Sequence, residues 1–296
     1  MKAALLPDRG VVKVAGDGAR NFLQGLVTAD VLKLTAGAAC FCALLTPQGK
    51  IIADFIVTAA PAQDGGGLFL DIPRTLGLTL VGKLNLYKLR AKVIIEDLSE
   101  VLGVMAVWDG SGLTTYGLCY ADPRLPALGQ RVMLPPHHAA AAAAELCAPL
   151  VDAGAYETHR IALGVPRGGL DFTYGDAFPH EADMDQLAGV DFGKGCYVGQ
   201  EVVSRMEHRG TARTRALPIR YDGGAPQAGT AITAGDHQIG TMGSSAAGRG
   251  LALLRLDRVA DALSRGERLS AGGVTIHPVK PDWARFGFPE ATKATE

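Results

Sequence analysis

Apolar positions alternate between helical and strand spacing through the first two-thirds of the chain and then settle into short strand-like runs. Asp17 to Asp30 reads as a short amphipathic helix, with Asp17 as its cap and Phe22, Leu23, Leu26 and Val27 on one face. Phe41 to Leu45, the turn Thr46-Pro47-Gln48-Gly49 and Ile51 to Val57 read as a hairpin, with Leu68 to Ile72 as a third strand. Thr75 to Leu89 returns to helical spacing, and Ala91 to Leu98, Val104 to Asp109 and the stretch around Tyr116 to Tyr120 return to strands. Ala139 to Val151 is helical by alanine propensity, and Val198 to His208 predicts a further helix. The resulting expectation is an α+β layout whose helices pack on sheets.

Beyond residue 210 the apolar runs shorten and are separated by Gly and Pro: Ala216 to Tyr221, Ala231 to Ala234, Gln238 to Met242, Leu251 to Leu256 and Val274 to Val279. Regular short strands with turn signals predict a small β-barrel. The expected boundary falls at Arg209-Gly210, giving residues 1–209 as one region, of two intertwined α+β subdomains, and 210–296 as the barrel.

Composition agrees with a folded chain of about two domains: 296 residues, 48% hydrophobic and 20% charged. With 29 basic against 30 acidic residues there is no overall field for nucleic acid or an anionic membrane, so neither is expected as a partner. The first residues lack the pattern of a signal or transit peptide, which gives the expectation of a cytoplasmic protein. Cys40, Cys42, Cys119, Cys147 and Cys196 are dispersed and odd in number, the mark of reduced thiols.

Most of the possible motifs reduce to ordinary structure. Gly16-Asp17-Gly18 lacks the third glycine of a dinucleotide fingerprint, and Gly243 to Gly248 lacks the Lys-Ser/Thr of a phosphate loop. Cys40 and Cys42 share one face of a strand, as two metal ligands or two small core side chains. His137-His138 reads as a solvated pair before a helix. The segment Asp191-Phe192-Gly193-Lys194-Gly195-Cys196-Tyr197-Val198-Gly199-Gln200-Glu201 is different, because glycines on both sides of the cysteine permit a tight backbone and close approach by a ligand. Lys194 and the N-terminus of the following helix would both favour a thiolate at Cys196. Arg205, Arg209, Arg213 and Arg215 follow with only Glu207 as counter-charge, the composition of a local anion site or of a solvated basic face.

At Lys194-Gly195-Cys196-Tyr197-Val198-Gly199-Gln200-Glu201 the chain resembles the YgfZ family. The resemblance extends through Phe22 to Asp30, Gln48 to Asp54, Lys83 to Arg90 and Pro179-His180-Glu181-Ala182, and spans roughly residues 8 to 215. It implies a fold shared with the tetrahydrofolate-dependent aminomethyltransferase (T-protein) of glycine cleavage, domains around a central folate site with a C-terminal barrel. It also implies binding of tetrahydrofolate or a derivative and support of iron-sulfur cluster assembly or repair in client enzymes, including transfer-RNA modifiers. Carried over by position, Cys196 is the functional cysteine with Lys194 activating it, and Asp54 lies where the transferase keeps its catalytic acid. Asp54, Gln200, Glu201 and Arg205 are the expected folate contacts. No stable metal is expected: one cysteine is too few for a resident cluster, so Cys196 would be a transient ligand, attack a persulfide, or contact a partner protein. In Arg160-Ile161-Ala162-Leu163-Gly164 the transferase pattern places a pterin-contacting glutamate at Ala162, and its loss argues against ordinary aminomethyl transfer. A folate-dependent one-carbon transferase relying on Asp54 and an RNA-binding module relying on the arginines are the rival readings.

Overall fold

The computed structural model describes residues 1–210 and 212–287. In chain order the strands and helices of the first two hundred residues are β1 (Lys2–Leu6), β2 (Arg9–Ala15), α1 (Ala19–Gln24), β3 (Ala39–Leu45), β4 (Ile51–Ala59), β5 (Leu68–Pro73), α2 (Gly77–Lys88), β6 (Ile94–Asp97), β7 (Gly103–Trp108), β8 (Leu118–Ala121), β9 (Gln130–Leu134), α3 (Ala139–Glu145) and α4 (Ala153–Ala162). After α5 (Gln200–Arg209) come β10 (Thr214–Tyr221), β11 (Ala231–Ala234), β12 (His237–Ala246), β13 (Arg249–Arg255), α6 (Leu256–Ser264), β14 (Leu269–Ala271) and β15 (Val274–Pro278). No helix among the described residues is long and apolar enough to cross a membrane.

The chain divides into two compact units: Met1–Tyr156 with Leu187–Gln200, and Glu157–Gln186 with the chain from Glu201 onward. In the first unit, β3-β4-β5-β2-β6 form one antiparallel sheet and β1-β7-β9-β8 another. Strand alternation sends Val12, Val14, Cys42, Leu44, Phe55, Val57, Leu68 and Leu70 to the face covered by α1 and α2, which contribute Leu23, Leu80 and Leu84. On the second sheet Met105, Val107, Val132 and Leu134 face the alanines of α3. The remaining two faces meet each other, and a buried ionic network joins them. Asp71 on β5 accepts from Arg9 Nε at 2.6 Å, Arg131 Nη1 at 2.5 Å and the Tyr120 hydroxyl at 3.1 Å. Asp122 accepts from Arg131 Nε at 3.0 Å and Arg124 Nη2 at 2.7 Å.

In the second unit β10-β13-β12-β11-β14-β15 close into a barrel, with Leu217, Ile232, Met242, Leu254, Leu269 and Ile276 in its core beside Val259 and Ala262 of α6. The unit takes in more chain than the 210–296 segment expected from the strand pattern, and buried arginines explain why. Arg215 on β10 donates to Asp183 at 2.8 Å and to both oxygens of Asp185 at 2.9 Å, while Arg160 on α4 donates to Asp171 and Ser244 at 2.9 Å. Residues 157–186 are thereby tied to the barrel strands.

Candidate functional site

The Cys196 loop is held within the first unit by hydrogen bonds to the side chain and backbone of Thr28. Thr28 Oγ1 donates to the Gly189 carbonyl at 2.5 Å and accepts from the Ala43 amide at 2.9 Å; the Thr28 carbonyl accepts from the Asp191 amide at 3.0 Å. Lys33 adds an ion pair to Asp191 at 2.9 Å.

Lys194 completes the attachment. Its buried ammonium donates to the carbonyls of Gln24 at 2.8 Å, Val27 at 2.6 Å and Ala29 at 2.8 Å, and lies 5.2 Å from the centre of the Tyr197 ring. Burial lowers the Lys194 pKa, opposed by Cys42, Asp30, Asp191 and Cys40. Burial also pushes the Tyr197 phenol up to about 12. A lysine has three ammonium protons and all three are engaged, so Lys194 has none to donate to Cys196. The expected thiol activation is replaced by anchoring.

Gly199 seats the far end of the loop on the β3–β4 turn. Its φ is +82°, and a Cβ there would stand 2.6 Å from the Thr46 carbonyl oxygen, so only glycine fits. Three of the segments that carry the family resemblance, around residues 22–30, 48–54 and 194–201, are therefore one physical assembly. Between the two anchors Cys196 is exposed, and a Cβ at Gly195 would meet open space. Phe192 and Leu32 are exposed on the same assembly. A thiol so presented is open to a large partner.

The other expected site residues are distributed differently. Asp54 lies on β4 opposite Ala43, only 7% exposed, on the sheet face away from α1 and α2. Gln200 starts α5, its amide donating to the Tyr197 carbonyl at 3.3 Å. Glu201 and Arg205 pair with each other at 2.7 Å, one helical turn apart and both exposed. Glu201 also puts a carboxylate in the first turn of the helix whose N-terminus was expected to favour a thiolate. Of the arginines that read as a local anion site or a solvated basic face, Arg205 pairs with Glu201 at the surface and Arg215 is buried against Asp183 and Asp185. Cys42 is buried in the core and Cys40 packs against it, with burial raising the Cys40 pKa to about 12, so both are core side chains. Ala162 is an exposed residue of α4.

One cluster had no signal in the sequence. His180, Asp185 and Glu207 bring ligand-type atoms within 4.8 Å of one another, with His180 Nε2 at 3.1 Å from Glu207. Both oxygens of Asp185 are already held by Arg215, so a guanidinium supplies the positive charge there. Only spacing in three dimensions joins residues so far apart in the chain.

Residues 213–286 match the family model described as the C-terminal β-barrel domain of CAF17. The chain is 38% identical to the iron-sulfur cluster assembly factor IBA57 homolog, mitochondrial, of Mycosarcoma maydis over 74% of its length and 57% of the relative's. It is 34% identical to the protein of the same name from Pyricularia oryzae, over 73% of this chain and 57% of the relative. Its homologues are iron-sulfur cluster assembly factors. The chain spans less than two-thirds of the length of these relatives. Among solved structures it is similar to the glycine cleavage system aminomethyltransferase T from Bartonella henselae, with a TM-score of 0.75 and 15% identity, over 98% of this chain and 88% of that one. The fold is that of the aminomethyltransferase with a C-terminal six-stranded barrel, as the resemblance implied. The cytoplasmic expectation is overturned: both relatives are named mitochondrial, and the N-terminal residues on which that expectation rested do not weigh against them.

Proposed function

We propose that this chain supports assembly or repair of iron-sulfur clusters in client enzymes, transfer-RNA modifiers among them, using Cys196 as the contacting thiol and tetrahydrofolate as a bound cofactor. The observation that carries the reading is the presentation of Cys196: a single exposed thiol on a loop fastened at Lys194 and Gly199, in a chain whose relatives are named iron-sulfur assembly factors. A thiolate is a soft ligand for iron, and a lone one shares its cluster with a partner's ligands. The partner is accordingly an iron-sulfur client or another assembly protein.

Folate is supported by the fold likeness and, each taken separately, by Arg205 in the second unit and Asp54 in the first. An exposed pair such as Glu201–Arg205 is worth no more than about 1 kcal/mol, so Arg205 can exchange Glu201 for the carboxylate tail of the cofactor. Asp54, largely shielded from water on β4, suits a hydrogen bond to a folate amine. Bound folate would supply a one-carbon carrier.

The test is anaerobic calorimetry with tetrahydrofolate on wild type, Cys196→Ala and Arg205→Ala, in parallel with rescue of a strain lacking cluster maturation. The reading expects folate binding in wild type and Cys196→Ala, weaker binding in Arg205→Ala, and rescue lost in Cys196→Ala but kept in the other exposed-thiol variant, Cys147→Ala. Rescue by Cys196→Ala would overturn the thiol, and absence of folate binding would overturn the cofactor. Turnover of an aminomethyl donor, lost in Asp54→Asn and kept in Cys196→Ala, would favour a one-carbon transferase.

A further inference from the structure

The helix α2 buries Leu80 and Leu84 against the first sheet yet leaves Leu78, Leu86 and Leu89 exposed at 77%, 71% and 90%. At 100° per residue Leu78 and Leu86 fall on the side of the helix opposite Leu80 and Leu84, with Gly82 between them and Asn85 beside Leu78, and Leu89 follows the last helical residue as its C-cap. Nothing lies within 4 Å of where a Cβ at Gly82 would be, so the middle of the stripe is open to a close neighbour. Surface leucines scattered singly need no explanation, but two on one helix face with a third at the cap that ends it form a continuous exposed apolar stretch. Leu89 stands out further: it has φ +42°, where glycine or asparagine is less strained, and its side chain packs on nothing that would repay the strain.

The stripe is ringed by positive charge. Lys83 and Lys88 flank it on either side, and Arg90 and Lys92 follow its end. None of the four forms an ion pair among the described residues. Of the acids next in sequence, Asp97 bonds to Ser99 and Glu100 to Arg74, while Glu96, exposed on β6, pairs with none of the four. A chain of near-zero net charge thus gathers four unpaired cations around the exposed leucines of α2 and its C-cap.

We propose that this face of α2 is a docking surface for a partner protein that presents an amphipathic helix with apolar residues on one face and acidic residues along both edges. From Leu78 to Leu86 the helical seam is about 12 Å long, a little over two turns of an α-helix, and Leu89 extends its end, which matches one face of a short helix laid along it. The apolar stripe supplies contact area and the basic collar supplies register and selection against basic partners. The proposal stands independently of the iron-sulfur reading, since it uses no part of the Cys196 loop.

The test uses the full chain and a labelled acidic amphipathic peptide with leucines at helical spacing and glutamates on both flanks. A twin with lysine for glutamate, phosphatidylglycerol vesicles and sedimentation of the protein alone complete the set. Anisotropy is expected to show binding of the acidic peptide about tenfold tighter than its twin, and weakened about tenfold by Leu86→Asp and by Lys83→Glu with Arg90→Glu. These positions are exposed, so unchanged thermal melting will separate lost docking from lost folding. Equal binding of the twins, no binding of the acidic peptide, indifference to Leu86→Asp, binding to vesicles alone, or self-association abolished by Leu86→Asp would each overturn it.

Discussion

Arg131 and Lys194 are both buried cations of the first unit, and they are answered by opposite chemistry. Burial works against the charge of Arg131, but Asp71 and Asp122 outweigh it and hold the guanidinium well above its ordinary pKa. Lys194 is met mainly by neutral carbonyls, and burial prevails, lowering its pKa. The first is a permanent latch between two sheets. The second is a polar anchor that directs three strong bonds at one strip of backbone and so fixes where the Cys196 loop sits. Carboxylate partners give charge complementarity at any ordinary pH, whereas carbonyl partners give geometry.

Breaking the latch should have the largest effect. Asp71→Ala leaves Arg9 and Arg131 buried without one carboxylate, and a loss of about 3–5 kcal/mol is expected in chemical denaturation. The same carboxylates predict acid sensitivity. Burial raises the pKa values of Asp71 and Asp122, but their arginine neighbours more than offset it and hold both below the ordinary carboxylate value. Their contribution is complete above about pH 4 and is lost as pH falls through the depressed native values. A unit whose stability is flat from pH 5 to pH 2 would show that the latch is not what joins the sheets.

Releasing the anchor should cost less stability and more function. Lys194→Met removes three donors at once, for about 2 kcal/mol net, and should abolish rescue of cluster maturation although Cys196 is untouched. Lys194→Arg tests geometry against charge: a planar guanidinium keeps the charge but cannot reproduce three converging bonds, so rescue should stay low. Full rescue by Lys194→Met would reduce the anchor to ordinary packing. Gly199→Ala should come next, at about 1–3 kcal/mol, because the new methyl meets the Thr46 carbonyl and the backbone is held at positive φ.

The same contrast explains what was legible in the sequence. Barrel strands such as Ala231–Ala234 and Val274–Pro278 were readable because apolar runs between glycines carry their signal locally. The strand β9 carries no local signal, since it opens Gln130-Arg131, and a buried arginine makes sense only beside Asp71, sixty residues away. The strands β1 and β2 lack a hairpin signal for a related reason: the chain leaves one sheet for the other at Pro7-Asp8, so neither has its sequence neighbour as partner. Asp17 was expected to cap α1, but Gly18 holds the cap position without a side-chain bond. The helix predicted to Val151 stops at Glu145, with Cys147 at φ +53° just beyond. At the site, glycine spacing marked the Cys196 loop correctly as special, while the role of Lys194 depended on carbonyls about 165 to 170 residues earlier. Long-range partners are invisible to periodicity.

The smallest expected effect separates anchor from latch by pH. A lysine whose native pKa is lowered is less protonated in the folded than in the unfolded chain between its native value and about 10.4, so stability must rise with pH across that window. The window should be read only up to about pH 10, since above it Tyr197, raised to about 12, stays protonated in the fold and contributes the opposite slope. Below that limit the comparison is the difference between wild type and Lys194→Met, in which titrating groups remote from Lys194 cancel. The difference should drift in favour of wild type as pH rises, with no matching drift between wild type and Asp71→Ala. A drift of the opposite sign would mean that acidic neighbours such as Asp30 and Asp191 outweigh burial at Lys194, making the anchor a second latch.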